Sequence, residues 1–283
     1  MADGAPGMSD TLVGTEFAFS NQDFDRIRTL LRQHTGISLS DAKRSMVYSR
    51  LARRLRATGR SSFSAYLEGL RAGAPEWEYF VNALTTNLTY FYRESHHFPI
   101  LAAHLKRRAA ENNGQPLQVW CAAASSGEEA WTLAITAAEA FSSLAPPVRI
   151  LATDLDTQVL SVARQGAYRS DQLVRVPDEQ VRRYFRPQGD GLYGVRPELR
   201  ALVSFRQQNL LDPVWRVRGP LDAVFCRNVL IYFDRPTQLN VIERMASLMP
   251  PGALLFVGHS ESFSQGQHKF QLQGRTVYAR VRD

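Results

Sequence analysis

The chain reads as an α/β protein whose main domain is a doubly wound, largely parallel sheet. It ends in an antiparallel hairpin, carries a small inserted β-subdomain and follows an all-helical N-terminal domain. Three observations lead there. Between Ser20 and Trp77 apolar residues recur at helical spacing, with capping residues before them and glycines after. Beyond Gly114 short apolar runs alternate with longer helical segments, the pattern of a parallel sheet with helices on both faces. Near the end, KFQLQ and TVYARV alternate as strands across the short turn GR, which makes the last pair antiparallel.

Taken in order, residues 1–16 are rich in Gly, Ala, Asp and Ser without any period and are expected to form a mobile tail. Ser20 precedes FDRIRTLLRQH, where Phe24, Ile27, Leu30 and Leu31 keep helical spacing and Gly36 supplies the stop. Asp41 opens the next helix. In AKRSMVYSRLARRLRA, Val47, Tyr48, Leu51 and Leu55 share one face, and Arg50, Arg53, Arg56 and Arg60 cluster opposite. FSAYLEGLRAG makes a third helix ending in Gly73, and a fourth runs from about 76 to 84 into TTNLTYFYRESHHF. The helical domain is placed at 17–92 and the sheet domain at 93–283. In the latter, LQVWCAA leads to helix EEAWTLAITAAEAF, VRILATD to TQVLSVARQG, and LDAVFC through RNVLIYF to TQLNVIERMASLM, before ALLFVGH closes the series. Between Asp171 and Ser204, PQGDG and repeated Val and Arg mark the inserted subdomain, about 186–204.

Composition limits the function classes. With 44% hydrophobic and 22% charged residues, the 283-residue chain is neither disordered, collagen-like nor a coiled coil. No run approaches the ~20 apolar residues of a spanning helix, and MADGAPGMSDTLVG has neither a basic nor an apolar leader region, so the expected location is cytoplasmic. Cys121 and Cys226 each end an apolar run and are expected to be buried free thiols. No close set of metal ligands is visible, and no metal is expected.

In an open α/β sheet ligands sit at the carboxyl ends of the strands. After the first strand comes AAASSGEE, a small-residue loop opening a helix; it is neither GxGxxG nor a P-loop, so a phosphate-rich nucleotide is poorly supported. The second strand ends in Asp154, placed to meet ribose hydroxyls. Other strand ends offer Asn209 in QQNLLD and Arg227-Asn228 in FCRNVLIYF, with Tyr232 close by; Asn reads an adenine edge with a donor and an acceptor, or simply caps a helix. A nucleoside ligand with little phosphate fits S-adenosylmethionine better than NAD. Glu128 or Glu129 offsets its positive charge, or serves only as a first-turn acid on the helix dipole. His96, His97 and His259 are assigned structural or capping roles.

Read in order, TTNLTYFYRESHHF, WCAAASSGEEAW, ATDLDTQVL, ARQGAYR, NLLDP, DAVFCRNVLIYFD, GALLFVGHSESF and RTVYAR resemble the CheR family, the chemotaxis-receptor glutamate O-methyltransferases. The resemblance runs from about Phe24 to Arg280. It implies a Rossmann-like class I methyltransferase sheet behind a helical domain, with S-adenosylmethionine as cofactor and S-adenosylhomocysteine as product. The substrates it implies are glutamates on the cytoplasmic methylation helices of chemoreceptors. Carried over residue by residue, the cofactor contacts fall on Asn87, Thr89, Arg93, Glu129, Asp154, Asn209, Leu210, Arg227 and Asn228, with Arg93 and Tyr232 as the active-site pair. The usual GEEP-aromatic sequence is here Gly127-Glu128-Glu129-Ala130-Trp131, and Phe-Phe-Arg is Phe91-Tyr92-Arg93; neither change removes a polar contact. In some members the inserted subdomain grips a pentapeptide at the receptor's C-terminal end, a role PQGDGLYGV leaves open.

The residue types suit that reaction. Glutamate, with a reference pKa of ~4.3, is already a nucleophile at neutral pH, so no general base is required. Seven basic side chains against the single Asp41 over 41–60, within a chain of net charge +7, point to an acidic partner. The stripe Arg50, Arg53, Arg56 and Arg60 is therefore read as receptor docking. Nucleic acid is the competing partner by charge alone; interleaved stacking aromatics and a DPPY-like segment are missing, so it is not expected. A cofactor-binding scaffold without activity is the other alternative. A monomer is expected.

Overall fold

The computed structural model describes residues 16–112, 114–261 and 268–281, so the expected tail lies, but for Glu16, outside the described residues. Two compact units divide at Thr85/Thr86, upstream of the 92/93 boundary expected from pattern. The intervening segment belongs with the sheet because it is hydrogen-bonded there. Asn87 Nδ2 donates to Asp156 Oδ2 at 2.8 Å, and Ser125 Oγ donates to the Asn87 carbonyl at 3.0 Å.

In the first unit Ser20 caps α1 (Asn21–Thr35). Its hydroxyl accepts the Asp23 N–H at 3.1 Å while the Asp23 carboxylate accepts the Ser20 N–H at 3.0 Å, and Gly36 ends the helix at φ 74°. A 3₁₀ turn at Asp41–Lys43 leads into α2 (Arg44–Thr58), followed by α3 (Phe63–Gly69) and α4 (Pro75–Leu84). Phe24, Ile27 and Leu31 of α1, Val47, Leu51 and Leu55 of α2, Phe63 of α3 and Phe80 of α4 are buried in the core.

The expected arginine stripe is broken up. Gly59, at φ 67°, stops α2, so Arg60 lies past the helix; likewise α3 stops at Gly69, with Leu70 extended, rather than at Gly73. Arg50 is spent inside the unit, its Nη1 donating to the carbonyls of Ala83 at 3.1 Å and Thr85 at 2.5 Å, at the end of α4 where intrahelical N–H donors run out. Arg54 is held bidentately by Glu76 at 3.0 and 2.7 Å, and the Tyr66 hydroxyl donates to the same carboxylate at 2.7 Å. Arg53 and Arg56 stay exposed, Arg56 paired with Glu16 at 2.7 Å.

The second unit begins with α5 (His97–Glu111), a helix unassigned from pattern although Phe98, Leu101 and Leu105 form its buried face. Strand β1 (Leu117–Cys121) is followed by α6 (Glu128–Ala140), β2 (Val148–Asp154), α7 (Thr157–Gln165) and the short β3 (Ala167–Arg169). Next come α8 (Asp178–Tyr184), β4 (Phe185–Gly189), β5 (Leu192–Val195) and α9 (Pro197–Arg200). The unit closes with β6 (Val203–Gln207), β7 (Ala223–Cys226), α10 (Arg235–Ser247), β8 (Leu254–Val257), β9 (Phe270–Gly274) and β10 (Val277–Arg280).

The main sheet has the order β6-β2-β1-β7-β8-β10-β9, parallel from β6 to β8 and antiparallel at β10 and β9. Period-two burial sorts its side chains into two cores. Val119, Cys121, Phe225 and Phe256 join α5 and α6 on one face, while Trp120, Val224, Cys226 and Leu255 join α10 on the other. The two cysteines thus lie on opposite faces of the sheet, and both are free and buried.

A second sheet, β3-β5-β4, is antiparallel and occupies the connection between α7 and β6. It spans 167–195, earlier than the expected 186–204: the three residues of β3 are too few to show a period, and from Val203 the chain already belongs to the main sheet. RNVLIYF, expected to continue from the strand, is a loop with a 3₁₀ turn at Leu230–Tyr232. Among the described residues no helix is long and apolar enough to cross a membrane.

Arg50→Ala leaves two carbonyls at the end of α4 without their charged donor and is expected to cost about 1–3 kcal/mol. Arg53→Ala, at an exposed position, should stay within about 0.5 kcal/mol. Urea midpoints of the two variants, compared at unchanged slope, check the contrast.

Candidate functional site

Strand order reverses around β1, the chain passing first to β2 and β6 on one side and then to β7 and β8 on the other. The carboxyl ends of β1, β2 and β7 therefore flank the crevice where such sheets take ligands. Ala122, Ala124 and Ser125 fill the turn after β1 with small side chains, and Gly127 enters α6 at φ 98°. A Cβ there would fall 2.8 Å from both the Ala163 Cβ and the Tyr168 hydroxyl, so the close approach of α6 to α7 requires glycine.

Asp154 closes β2 beside this turn. Its Oδ2 accepts the Ser125 N–H at 2.7 Å and its Oδ1 the Asp156 N–H at 2.9 Å. Burial, reinforced by the neighbouring Asp156 charge, pushes the carboxyl up to about 6 against those two hydrogen bonds. Asp156 caps α7 through the N–H groups of Gln158 and Val159 and also accepts from Asn87. Gln208 N donates to the Asp154 carbonyl at 3.0 Å, which sets Asn209 and Leu210 next to the same strand end. Asn209 caps no helix; its Oδ1 accepts the Leu211 N–H at 2.9 Å and closes a turn, while Leu210 is buried.

At the end of β7 the Arg227 guanidinium has 1% of its side chain exposed. Its Nη1 donates to Glu129 Oε2 at 2.6 Å, and its Nη2 lies 3.5 Å from Glu94 Oε2 and donates to the Arg93 carbonyl. The Cys121 thiol donates to the other oxygen of Glu129 at 3.3 Å, burial and that carboxylate together keeping the thiol protonated. Burial works against the charge on Glu94, but Arg227 and the hydrogen bonds from His259 outweigh it and hold the carboxyl down at about 2. One guanidinium between two carboxylates leaves this cluster with one carboxylate in excess.

The loop after β7 hangs on a second carboxylate. Glu261 accepts the N–H groups of Asn228 at 2.8 Å, Gly258 at 2.6 Å, Leu230 at 2.7 Å and Ile231 at 3.3 Å. Asn228 is thereby fixed at φ 59°, its Nδ2 reaching Glu94 Oε1 at 3.4 Å. Any Cβ at Gly258 would come within 2.4 Å of that amide nitrogen.

The residues expected from sequence are brought together unevenly. Glu129, Arg227 and Asn228 share one network with the main chain of Arg93, and Asn87, Asp154, Asn209 and Leu210 gather around the end of β2. Arg93 donates to the Leu88 carbonyl at 2.8 Å and lies over the Tyr90 ring. Tyr232 stands on the 3₁₀ turn that Glu261 anchors, and no hydrogen bond joins it to Arg93 among the described residues; nor does the Thr89 hydroxyl make one. Arg50, Arg53, Arg56 and Arg60 belong to the other unit.

Glu94 and Glu261 went unnoticed in the sequence. Both lie inside the segments that carry the family resemblance, but only Glu261 follows a strand, four residues after β8, while Glu94 precedes α5 and carries no local signal. His97 is fully buried, its Nε2 3.1 Å from Thr276 Oγ1; burial and then the Arg227 charge hold it down at about 4, so it is neutral. Among the described residues Glu94, His96 and His97 are the one group close enough to share a metal ion. Arg227 already supplies positive charge to that carboxylate and opposes a cation beside it.

Comparison with known proteins agrees with this geometry. Residues 22–85 match the CheR methyltransferase all-alpha domain, and residues 87–279 match the CheR methyltransferase SAM binding domain. Chemotaxis protein methyltransferase 2 of Pseudomonas aeruginosa is 49% identical over 93% of this chain and 95% of its own length. The chemotaxis protein methyltransferase of Salmonella typhimurium is 49% identical over 94% and 92%, and that of Escherichia coli 47% identical over 94% and 93%. Matched by both family models and by relatives 47–49% identical to it, the chain belongs to the CheR family of S-adenosylmethionine-dependent chemotaxis methyltransferases.

Proposed function

We propose that the protein transfers the methyl group of S-adenosylmethionine to glutamate side-chain carboxylates on the cytoplasmic helices of chemoreceptors. The products are glutamate methyl esters and S-adenosylhomocysteine. The observation that carries the reading is the charge at the sheet edge: Glu129 and Glu94 around Arg227 leave one uncompensated negative charge, which suits a cationic ligand. Asp154, a half-buried carboxylate with acceptor capacity left beyond its two N–H bonds, would take the ribose hydroxyls. Asn209 and Leu210 would face the base, and Asn87, Thr89 and Asn228 would line the crevice around the nucleoside and the amino acid end.

When bound, the cofactor supplies an electrophilic methyl group on a sulfonium. The chain's own residues then need only hold the acceptor in line. A glutamate is ionised at neutral pH, so positioning replaces proton abstraction, and positioning of this kind supplies about 7–11 kcal/mol in good cases. Arg93 has spent one N–H on the Leu88 carbonyl and keeps the rest for a carboxylate. Tyr232 offers a hydroxyl from the loop tied to Glu261.

Of the basic stripe, Arg53 and Arg56 of α2 are the exposed part available for docking an acidic receptor helix, Arg56 by exchanging its surface pair with Glu16, since Arg50 is engaged inside the unit and Arg60 is off the helix. The inserted sheet supports a second attachment. Its outer strand β4 borders a groove lined by Arg182, Arg186 and Arg196 against the single acid Asp178, with Phe185 and Tyr193, a combination suited to the backbone and terminal carboxylate of a receptor's C-terminal pentapeptide. On this reading the enzyme is a cytoplasmic monomer.

Methyl transfer to receptor membranes, read as methanol released by mild base, should be present for the wild type. It should fall at least about a hundredfold in Arg93→Ala, in line with the loss of one charged group that orients the transition state. Unchanged activity in that variant counts against the assigned site. Arg53→Glu with Arg56→Glu should raise the receptor KM and leave S-adenosylhomocysteine affinity unchanged; equal receptor kinetics would remove the docking role.

Asp154 accepts ribose hydroxyls best when ionised, so affinity is full above its pKa of about 6 and falls as the pH drops through it. Calorimetry should show S-adenosylhomocysteine binding about tenfold weaker at pH 5 than at pH 7.5. In Asp154→Asn binding should be weak at both and nearly flat.

A further inference from the structure

Two cations meet at one aromatic ring beside the candidate site. The Arg175 guanidinium carbon lies over the Tyr90 ring at 4.3 Å from its centroid, and that of Arg93 at 5.8 Å. The two charges are therefore no more than about 10 Å apart, within one screening length at moderate salt. Among the described residues neither has a carboxylate within ion-pair distance. Each is drawn to the electron-rich ring, and each repels the other.

The backbone fixes Arg175 in place. Leu173 and Val176, on either side of it, are each 4% exposed and belong to the core of the sheet unit, and Val176 N donates to the Leu173 carbonyl at 2.8 Å. This turns Val174 and Arg175 outward, Val174 being 81% exposed. Leu88, whose carbonyl holds Arg93, is 71% exposed. Two guanidinium groups without a carboxylate in ion-pair range among the described residues thus share the Tyr90 ring, and the residues next to them in the fold, Leu88 and Val174, are exposed.

We propose that Arg175 is a receptor-binding residue, placing a second guanidinium beside Arg93 to take an acidic side chain that neighbours the acceptor glutamate on the receptor helix. This rests on the glutamate-methylation reading above. On a helix, side chains three or four positions apart are about 5–6 Å apart at Cβ, so one carboxylate at Arg93 and another at Arg175 lie within the span of the pair. Binding them relieves the repulsion between the arginines, and Leu88 and Val174 cover apolar positions of the same helix. A carboxylate of the cofactor is the competing ligand. Arg175 is the worse placed for it, being exposed on the inserted segment and not at a strand end.

The test uses the full-length protein and inner membranes of Escherichia coli that overproduce one of that organism's chemoreceptors and lack its own methyltransferase. Base-released methanol measures turnover. Arg175→Glu should raise the receptor KM about tenfold and Arg175→Ala about threefold, with kcat and S-adenosylhomocysteine affinity unchanged, while Arg175→Lys stays near wild type. Added salt should narrow the gap. Receptor KM values equal to wild type in both the Glu and Ala variants would overturn the proposal. So would a loss of S-adenosylhomocysteine affinity in step with activity, which assigns Arg175 to the cofactor. If the wild type itself releases no methanol, the glutamate reading fails first and this proposal with it.

Discussion

Arg227 is a charge almost wholly removed from water, and the carboxyl edge of the main sheet is arranged around supplying its acceptors. Taking a guanidinium out of water costs several kcal/mol, which only well-placed acceptors offset. Here they come from two places in the chain: Glu129 at the start of α6, and, in the segment before α5, Glu94 together with the main-chain carbonyl of Arg93. One side chain at the end of β7 therefore ties together the turn after β1 and the segment that bears Arg93. The surplus of one carboxylate follows directly, since two acids hold one base. The same contacts that fold this edge leave that cluster with one carboxylate more than its guanidinium balances.

Glu261 does for the backbone what Arg227 does for side chains. Four N–H groups of the stretches 228–231 and 258 converge on it, donors that the loop after β7 and the end of β8 otherwise leave unpaired. With them met, the loop closes into a 3₁₀ turn instead of continuing as strand, which RNVLIYF by its apolar content suggests. Tyr232 owes its place to this carboxylate. The effect on this loop is not visible in local sequence, because the acid comes 30 to 33 residues later than the three loop donors it serves.

That contrast runs through the molecule. Ser20 with Asp23, Gly36, the alternation in LQVWC and VRILATD, and the final hairpin are local patterns, and the structure places elements where those patterns do. Features that depend on distant partners are not legible in this way. Arg50 and Arg53 look alike in the sequence, yet only the first finds carbonyls at the end of α4. Gly59 ends α2 one residue before Arg60, so a stripe drawn at constant angular spacing overruns the helix. Phe98, Leu101 and Leu105 do carry helical spacing, but α5 begins only after the positive-φ residues Tyr92 and Glu94, and the irregular segment hides the helix behind it. In the site, Asp154 and Glu129 stand at positions that strand order makes conspicuous, whereas Glu94 matters through what it pairs with.

Tyr92, Glu94 and Asn228 all occupy the left-handed region, a conformation that costs a non-glycine residue about 1–3 kcal/mol when bulky or unsupported. Two of the three lie within the Arg227–Glu94–Asn228 network, and the third is adjacent to Arg93. Strain gathered there is held by the charged hydrogen bonds of the chain's own network, so the segment that bears Arg93 and the loop that leads to Tyr232 are braced by the fold itself. Binding energy from the cofactor and from the receptor helix is then not consumed in ordering the loop. On the proposed reading it would remain for aligning carboxylate oxygen and methyl group, the step on which a transfer without a general base depends.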